Sequence, residues 1–147
     1  FVTGAGRDGA AVAAMRPVLD ARVGVLLDAF DLRQLLGILA AGDVFVGPST
    51  GPLHMASALD LATVGLYPPV RTMAPGRWGP RGRWVRTLVP DVACPARRKC
   101  LGNRCTLWNC LEGIATDAVA AAVVALAGQR RPPPAQEAPA HRDESTR

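Results

Sequence analysis

The sequence predicts an α/β fold built on a doubly wound parallel sheet. Short apolar runs rich in β-branched residues alternate with stretches in which apolar residues recur at helical spacing. Glycine, proline or a capping residue separates one stretch from the next. Because strands separated by helices are joined by crossover connections, they are expected to pair in parallel, with helices on both faces of the sheet.

The amino-terminal part of the chain supplies two strands and two helices. Phe1 to Gly4 is predicted as the first strand, and a helix is expected from about Ala10 to Leu19. Val23 to Leu27 is the second strand, and Asp31 can cap the helix that follows it. The leucines of that helix recur at intervals of three and four residues, which predicts one buried stripe. The stripe consists of Leu32, Leu35, Leu36 and Leu39.

The most informative segment is residues 43–67, DVFVGPSTGPLHMASALDLATVGLY, whose pattern is strand, turn, short helix and strand. Val44 to Val46 is an apolar strand that should end at Gly47 and Pro48, since this pair cannot continue a buried ladder. Ala62 to Tyr67 is predicted as the next strand. The helix between them is expected to pack on the sheet through Met55, Ala56, Ala58 and Leu59.

The turn inside this segment has the composition of an anion-binding site. Ser49 or Thr50 can cap the helix, and Gly51 allows a ligand to approach the backbone closely. The free amides of the first helical turn favour an anion, to which His54 could add a donor. The alternative is a capped helix with a surface histidine, because each part of the motif is common by itself.

The rest of the chain is less regular. Pro68 to Gly82 contains four prolines and three glycines, which predicts a long ordered loop over the carboxyl edge of the sheet. Trp84 to Val89 is expected as an outer strand. Thr116 is expected to cap a closing helix over Asp117 to Ala127.

Length and composition bound the class of the protein. The chain has 147 residues, of which 49% are hydrophobic, enough for one domain that we assign to residues 1–128. Residues 129–147 are rich in Pro, Arg, Glu and Ser and are expected to be disordered. No apolar run approaches the roughly 18 residues of a membrane-spanning helix, so we expect a soluble or at most peripheral protein. Since the chain begins at Phe1 inside a strand, we expect it to be truncated.

Positive charge is concentrated in residues 71–104, which carry eight Arg, one Lys and one Asp. Residues 1–70 carry four Arg and six Asp. Such a basic block could contact nucleic acid, anionic lipid headgroups or a phosphorylated sugar. Few aromatic residues and no recognisable recognition helix argue against nucleic acid. The alternative is an arginine-rich background composition without a specific partner.

The four cysteines lie within 17 residues of the sequence and are Cys94, Cys100, Cys105 and Cys110. Four thiolates could hold zinc or iron, but none of the intervals is the two-residue loop of zinc ribbons, and no histidine is close. Disulfides and ordinary thiols are the alternatives.

The motif SxGPxHxAxAL at residues 49–59, the RWGP run at residues 77–80, and Cys110-Leu111 with Ile114 carry a resemblance to a known family. The sequence resembles the carboxyl-terminal half of family 9 glycosyltransferases, the ADP-heptose lipopolysaccharide heptosyltransferases. The likeness covers about Phe1 to Leu126. It implies a Rossmann-like domain, one half of a GT-B glycosyltransferase, without a cofactor and without a metal for the diphosphate.

The resemblance also implies roles for individual residues. Thr50, Gly51 and His54 match positions that contact the nucleotide sugar, whereas Ser49 stands where relatives commonly have Asp. Asp8 falls near the position where relatives have an acidic residue that binds the ribose of the nucleotide, or it is simply an acid at the start of a helix. Arg77 could reach a phosphate, or could stack on Trp78 or Trp84.

The expected function is donor binding in an inverting, heptosyltransferase-like enzyme that transfers a sugar from a nucleotide-diphosphate sugar to a saccharide acceptor such as lipopolysaccharide core. The catalytic base and the acceptor site would lie in a domain outside this chain. The protein is expected in the cytoplasm, or as a peripheral protein at the cytoplasmic face of the inner membrane. Two alternatives remain: a non-catalytic nucleotide or sugar-phosphate binding module, and a basic interaction module with a metal on four cysteines.

Overall fold

Parallel strands and helices alternate along the part of the chain that the computed structural model describes, which is residues 1–96, 99–101, 104–107 and 109–129. The strands are β1 (Val2–Gly4), β2 (Val25–Leu27), β3 (Val44–Pro48), β4 (Ala62–Leu66) and β5 (Val85–Leu88). The α-helices are α1 (Gly9–Met15), α2 (Leu32–Ala41), α3 (Gly51–Ala58), α4 (Pro75–Trp78) and α5 (Thr116–Ala127). Short 3₁₀ helices cover Gly6–Asp8, Arg16–Val18, Arg71–Met73 and Cys110–Gly113.

The strands form two hydrogen-bonded sheets, and every described strand pair is parallel. One sheet consists of β1 and β2, and the other has the order β3-β4-β5. Val44 pairs with Ala62, and Thr63 pairs with Val85, so β4 lies in the centre of the larger sheet. The α/β class with parallel strands is therefore confirmed.

Helices cover both faces of the larger sheet. Ala62 and Val64 point to one face of β4, because side chains alternate along a strand, and they pack against Leu126 of α5. The opposite face carries Gly65, and a Cβ built there would lie 3.4 Å from the Leu53 side chain of α3. Phe45 packs on the same side against Ala56 of α3. This arrangement is the doubly wound one predicted from the sequence.

The ladder between β3 and β4 is longer than expected. Gly47 pairs with Gly65 and Pro48 with Leu66, so the prediction that β3 ends before Gly47 is wrong. In the described sheet β3 lies at an edge, where it has a neighbour on one side. Proline is tolerated in such a position, because its missing amide breaks no ladder in the centre of a sheet.

Helix α3 packs through a different face from the one predicted. Leu53, Ala56 and Ser57 are buried, whereas Ala58 and Leu59 are exposed. The buried positions have the spacing i, i+3 and i+4. The contact of Leu53 with Gly65 of β4 determines which face of the helix is buried. Of the predicted contacts, Ala56 is correct and Met55 is half-buried.

The cap of α2 is confirmed. The Asp31 carboxylate accepts the Gln34 amide at 2.8 Å, and the Gln34 side chain accepts the Asp31 amide at 2.9 Å. Leu39 is buried, but Leu32 is 61% exposed, because it is the first residue of the helix and lies before the turns that pack.

Three other expectations are corrected. Helix α1 ends at Met15 because Pro17 lacks an amide, and a 3₁₀ turn follows. The segment expected as a loop before Gly82 contains a 3₁₀ turn and α4, whose first residue is Pro75. Ala115, rather than Thr116, occupies the cap position of α5.

The outer strand is confirmed as β5, paired with β4. The expected disordered tail lies outside the described residues from position 130 onward. No helix among the described residues is both long enough and apolar enough to span a bilayer.

Replacing Gly65 by Ala should destabilise the fold. The added methyl group would lie 2.7 Å from the Tyr67 ring, which is fully buried. We expect a loss of about 1–3 kcal/mol in the free energy of unfolding, measured by urea denaturation. Gly37→Ala is the matched control. It has open space around its Cβ and lies inside α2, so it should gain about 0.5–1 kcal/mol. Equal effects of the two substitutions would contradict this packing.

Candidate functional site

The turn between β3 and α3 holds the residues Ser49, Thr50, Gly51 and His54 at the carboxyl end of β3. Thr50 occupies the cap position with extended backbone angles, φ −135° and ψ 170°. Its hydroxyl donates to the Pro48 carbonyl at 3.3 Å and does not cap the helix. The capping expected from Ser49 or Thr50 is therefore not observed, and no side chain among the described residues caps the first turn.

The backbone of this first turn is accessible from solvent. Gly51 is exposed, and a Cβ built on it would meet only the Met55 methyl group, at 3.8 Å. The Leu53 amide donates to the Thr50 carbonyl at 3.1 Å, while Pro52 has no amide. The Gly51 amide is thus the approachable donor at the positive end of an eight-residue helix, which is a favourable place for an anion.

His54 lies in the same turn with its side chain exposed. Its carbonyl accepts the Ser57 hydroxyl at 3.0 Å, and its imidazole makes no hydrogen bond to the described residues. Leu53, the neighbour of His54, is fully buried. The core therefore holds the backbone of this turn while the imidazole points to solvent.

Gly47 is needed at the end of β3 for a local reason. A Cβ at this position would lie 2.8 Å from the Phe45 ring, which itself packs on the core. Any larger residue would push this ring aside, so packing is sufficient to explain the glycine before the turn.

Asp8 follows β1, at the carboxyl end of that strand. Its carboxylate accepts the Ala5 amide at 2.9 Å and orders the 3₁₀ turn Gly6–Asp8. Asp8 also directly precedes α1, so the role of an acid at the start of a helix, which the sequence allowed, is observed.

Arg77 lies on α4, which follows β4, the neighbour of β3. Its guanidinium carbon is 5.7 Å from the centre of the Trp78 ring, so the predicted stacking on a tryptophan is present. The Tyr67 hydroxyl donates to the Trp78 carbonyl at 2.7 Å, and the Trp78 indole donates to the Thr72 carbonyl at 3.1 Å. These bonds fix α4 beyond the carboxyl end of β4.

The four cysteines form no disulfide among the described residues, and they line one cavity of about 430 Å³. Pro68, Pro69, Val70 and Met73 also line this cavity. Burial raises the pKa of the Cys110 thiol, and the neighbouring thiols Cys100, Cys94 and Cys105 raise it further. Among the described residues, no group of three or more His, Cys, Asp or Glu could hold a metal ion.

Sequence reasoning missed this cavity. It is formed where the segment after β4 meets the cysteine segment, about 30 residues later in the chain. The only local signal is the set of apolar residues between and beside the cysteines, namely Ala96, Leu101, Leu107 and Leu111.

Comparison with solved structures finds the same fold in glycosyltransferases. A glycosyl transferase family 9 protein from Veillonella parvula DSM 2008 superposes with a TM-score of 0.70 over 87% of this chain and 36% of its own, at 19% identity. The E. coli ADP-heptose LPS heptosyltransferase II superposes with a TM-score of 0.66 over 86% of this chain and 35% of its own, at 21% identity. The chain thus spans about a third of the length of these proteins.

Sequence comparison agrees with the structural one. A Haemophilus influenzae protein whose name describes it provisionally as a glycosyltransferase is 50% identical over 42 residues, which are 29% of this chain and 12% of its own. The family described as glycosyltransferase family 9 (heptosyltransferase) matches residues 2–103, more than half of the chain. The resemblance noted from residues 49–59 is therefore confirmed, and the protein belongs to glycosyltransferase family 9.

Proposed function

We propose that this chain binds the donor of an inverting, heptosyltransferase-like glycosyltransferase. The donor would be a nucleotide-diphosphate sugar, and the acceptor a saccharide such as lipopolysaccharide core at the cytoplasmic face of the inner membrane. The observation that carries the proposal is the open first turn of α3, where Gly51 leaves the backbone accessible and no side chain serves as a cap. Membership of family 9 supports glycosyl transfer in general.

The chemistry explains why this turn would matter. When the bond between the anomeric carbon and the diphosphate breaks, negative charge grows on the departing oxygens, and groups that stabilise this charge lower the barrier. The Gly51 amide and the α3 dipole would supply such stabilisation. His54 would add a donor from the same turn.

The Thr50 hydroxyl could accept a hydrogen bond from the sugar as it stands, but it could donate to a phosphate only after rotating. The hydroxyl hydrogen points to the Pro48 carbonyl, over a distance of 3.3 Å. Its oxygen can accept from the sugar in this position, but it must rotate to donate to a phosphate. Ser49 is half-buried and would leave fewer acceptors for sugar hydroxyls than an aspartate, so it bears on which sugar is bound.

Asp8 and Arg77 would have secondary roles in donor binding. Asp8 would have to share its carboxylate between the Ala5 amide and a ribose hydroxyl. Arg77 is exposed, and stacking on Trp78 leaves the edge of its guanidinium free to meet a phosphate.

The catalytic base and the acceptor site would lie outside this chain, which spans about a third of its solved relatives. A second candidate function, donor binding without catalysis, is favoured by Ser49, because it removes a carboxylate from the site. The basic interaction module with a metal on four cysteines has no supporting geometry among the described residues.

Substitutions at the turn should separate binding from folding. Gly51→Ala has room for its methyl group and should keep the free energy of unfolding, but the methyl would crowd a bound phosphate. His54→Ala should weaken donor binding by about 1–3 kcal/mol, the scale of a hydrogen bond to a charged group. Calorimetric titration with ADP, GDP and UDP sugars measures both variants.

Arg33→Ala, on the exposed side of α2, is the control for these titrations and should bind as the unchanged chain does. If neither Gly51→Ala nor His54→Ala alters the affinity for any of these ligands, the donor site does not lie at this turn.

The 147-residue chain should bind donor without transferring sugar, because the base and the acceptor site are expected elsewhere. The test measures sugar transfer to a lipopolysaccharide core acceptor in parallel with donor binding. Turnover by the chain alone would contradict the assignment of the base to another domain.

A further inference from the structure

The cavity lined by the cysteines opens to solvent through a rim of large apolar side chains. These are Met73, Leu101, Leu107 and Leu111, each between 37% and 41% exposed. Met73 comes from the segment after β4, and the three leucines come from the segment after β5, so the rim unites two distant parts of the chain. We call these four residues the apolar rim. A group of exposed large apolar side chains is typical of a surface that binds a protein, a ligand or a membrane.

The interior of the cavity is suited to an apolar occupant. Pro68, Pro69 and Val70 form part of the wall, and the thiols form another part. Since burial and the neighbouring thiols raise the pKa of Cys110, this group stays protonated and uncharged at neutral pH. Glu112 is the carboxylate among the lining residues, and it is exposed.

Cations are close neighbours of the apolar rim residues in the sequence. Arg71 lies in the same 3₁₀ turn as Met73, and Lys99 and Arg104 lie on either side of Leu101 in the sequence. All three are exposed. Among the described residues the ion pair lies elsewhere, between Arg22 and Asp20, and none of these three cations takes part in it. Between residues 71 and 112 the sequence has two acids, Asp91 and Glu112. The region is therefore strongly positive.

An aromatic side chain extends the same surface. Trp78 is 51% exposed, and its indole nitrogen is hydrogen-bonded to the Thr72 carbonyl, next to Met73. The neighbouring Arg77 stacks on it. An exposed tryptophan beside arginine is typical of side chains placed at the boundary between lipid and water.

We propose that the apolar rim and the cations around it dock the protein on an anionic phospholipid bilayer. The rim side chains would enter the acyl region, while Arg71, Lys99 and Arg104 meet the lipid phosphates. Apolar burial combined with attraction to anionic headgroups is how proteins without a spanning helix bind membranes. The proposed function places the acceptor at the inner membrane, and this proposal names the surface that would contact that membrane. It does not depend on donor binding at α3.

A nucleic acid fits this surface less well. Binding of single strands uses aromatic rings as stacking platforms along a basic groove. Here the rim consists of aliphatic side chains, and Trp78 is already stacked against Arg77. The cations would attract the phosphates of either partner, and the aliphatic rim favours those of lipids, which carry acyl chains.

The test is co-sedimentation of the 147-residue chain with vesicles of phosphatidylcholine, with and without phosphatidylglycerol. We expect binding only to the vesicles that contain phosphatidylglycerol, and binding should weaken as salt is raised. Lys99→Gln and Arg104→Gln should each weaken it roughly fivefold, the ratio that corresponds to about 1 kcal/mol per charge. Leu101→Asp with Leu107→Asp should weaken it at least about tenfold.

Matched controls come from elsewhere on the surface. Val124→Asp on α5 replaces an apolar residue that is 71% exposed, and Arg33→Gln on α2 removes one exposed charge. Both should bind vesicles as the unchanged chain does. His54→Ala should also keep vesicle binding, whatever its effect on the donor, so failure of the donor site and failure of the membrane surface can be told apart.

The proposal is overturned if the unchanged chain does not bind phosphatidylglycerol vesicles, or if the rim and cation variants bind as well as the controls. It is also overturned if light scattering shows a dimer that Leu101→Asp abolishes, or if a nucleic acid displaces the vesicles. Circular dichroism of each variant establishes that it is folded. For a rim variant that fails to fold, the two charge-removing variants and the salt dependence of the unchanged chain decide the outcome.

Discussion

The burial of β4 on both faces is the constraint on which the rest of the structure depends. Ala62, Thr63 and Val64 have almost no contact with solvent, so each face of the strand must be covered by a helix. Helix α5 covers the face of Ala62 and Val64, and α3 covers the face of Gly65. Thr63 is tolerated in this environment because its hydroxyl donates to the Leu61 carbonyl at 2.8 Å.

This constraint also places the candidate donor site. Leu53 packs against β4 and thereby fixes the first turn of α3. It lies two residues after Gly51 and one before His54. The site residues are thus exposed members of a turn whose neighbour is anchored in the core. A rigid support of this kind is what binding groups need in order to keep their geometry.

Local chemistry explains what could be predicted from the sequence. The Asp31 cap depends on Gln34, three residues away, and the parallel strands follow from apolar runs separated by helices. The turn of Ser49 to His54 was predicted for the same reason, as a contiguous motif after a strand.

Interactions between distant residues explain what could not be predicted. The packed face of α3 depends on the contact between Leu53 and β4, and sequence spacing alone placed Ala58 and Leu59 there wrongly. The Thr50 hydroxyl was expected to cap a helix, but it bonds to the Pro48 carbonyl because β3 continues to that residue. The cavity needs two segments that meet only in three dimensions.

The bond from the Tyr67 hydroxyl to the Trp78 carbonyl has a consequence for recognition. Tyr67 is fully buried and directly follows β4, so this 2.7 Å bond ties the arginine and tryptophan of α4 to the core of the larger sheet. A preorganised surface loses little conformational entropy when it meets a partner. The α4 part of the basic segment is therefore ordered before any partner binds, so less interaction energy would be consumed in ordering it.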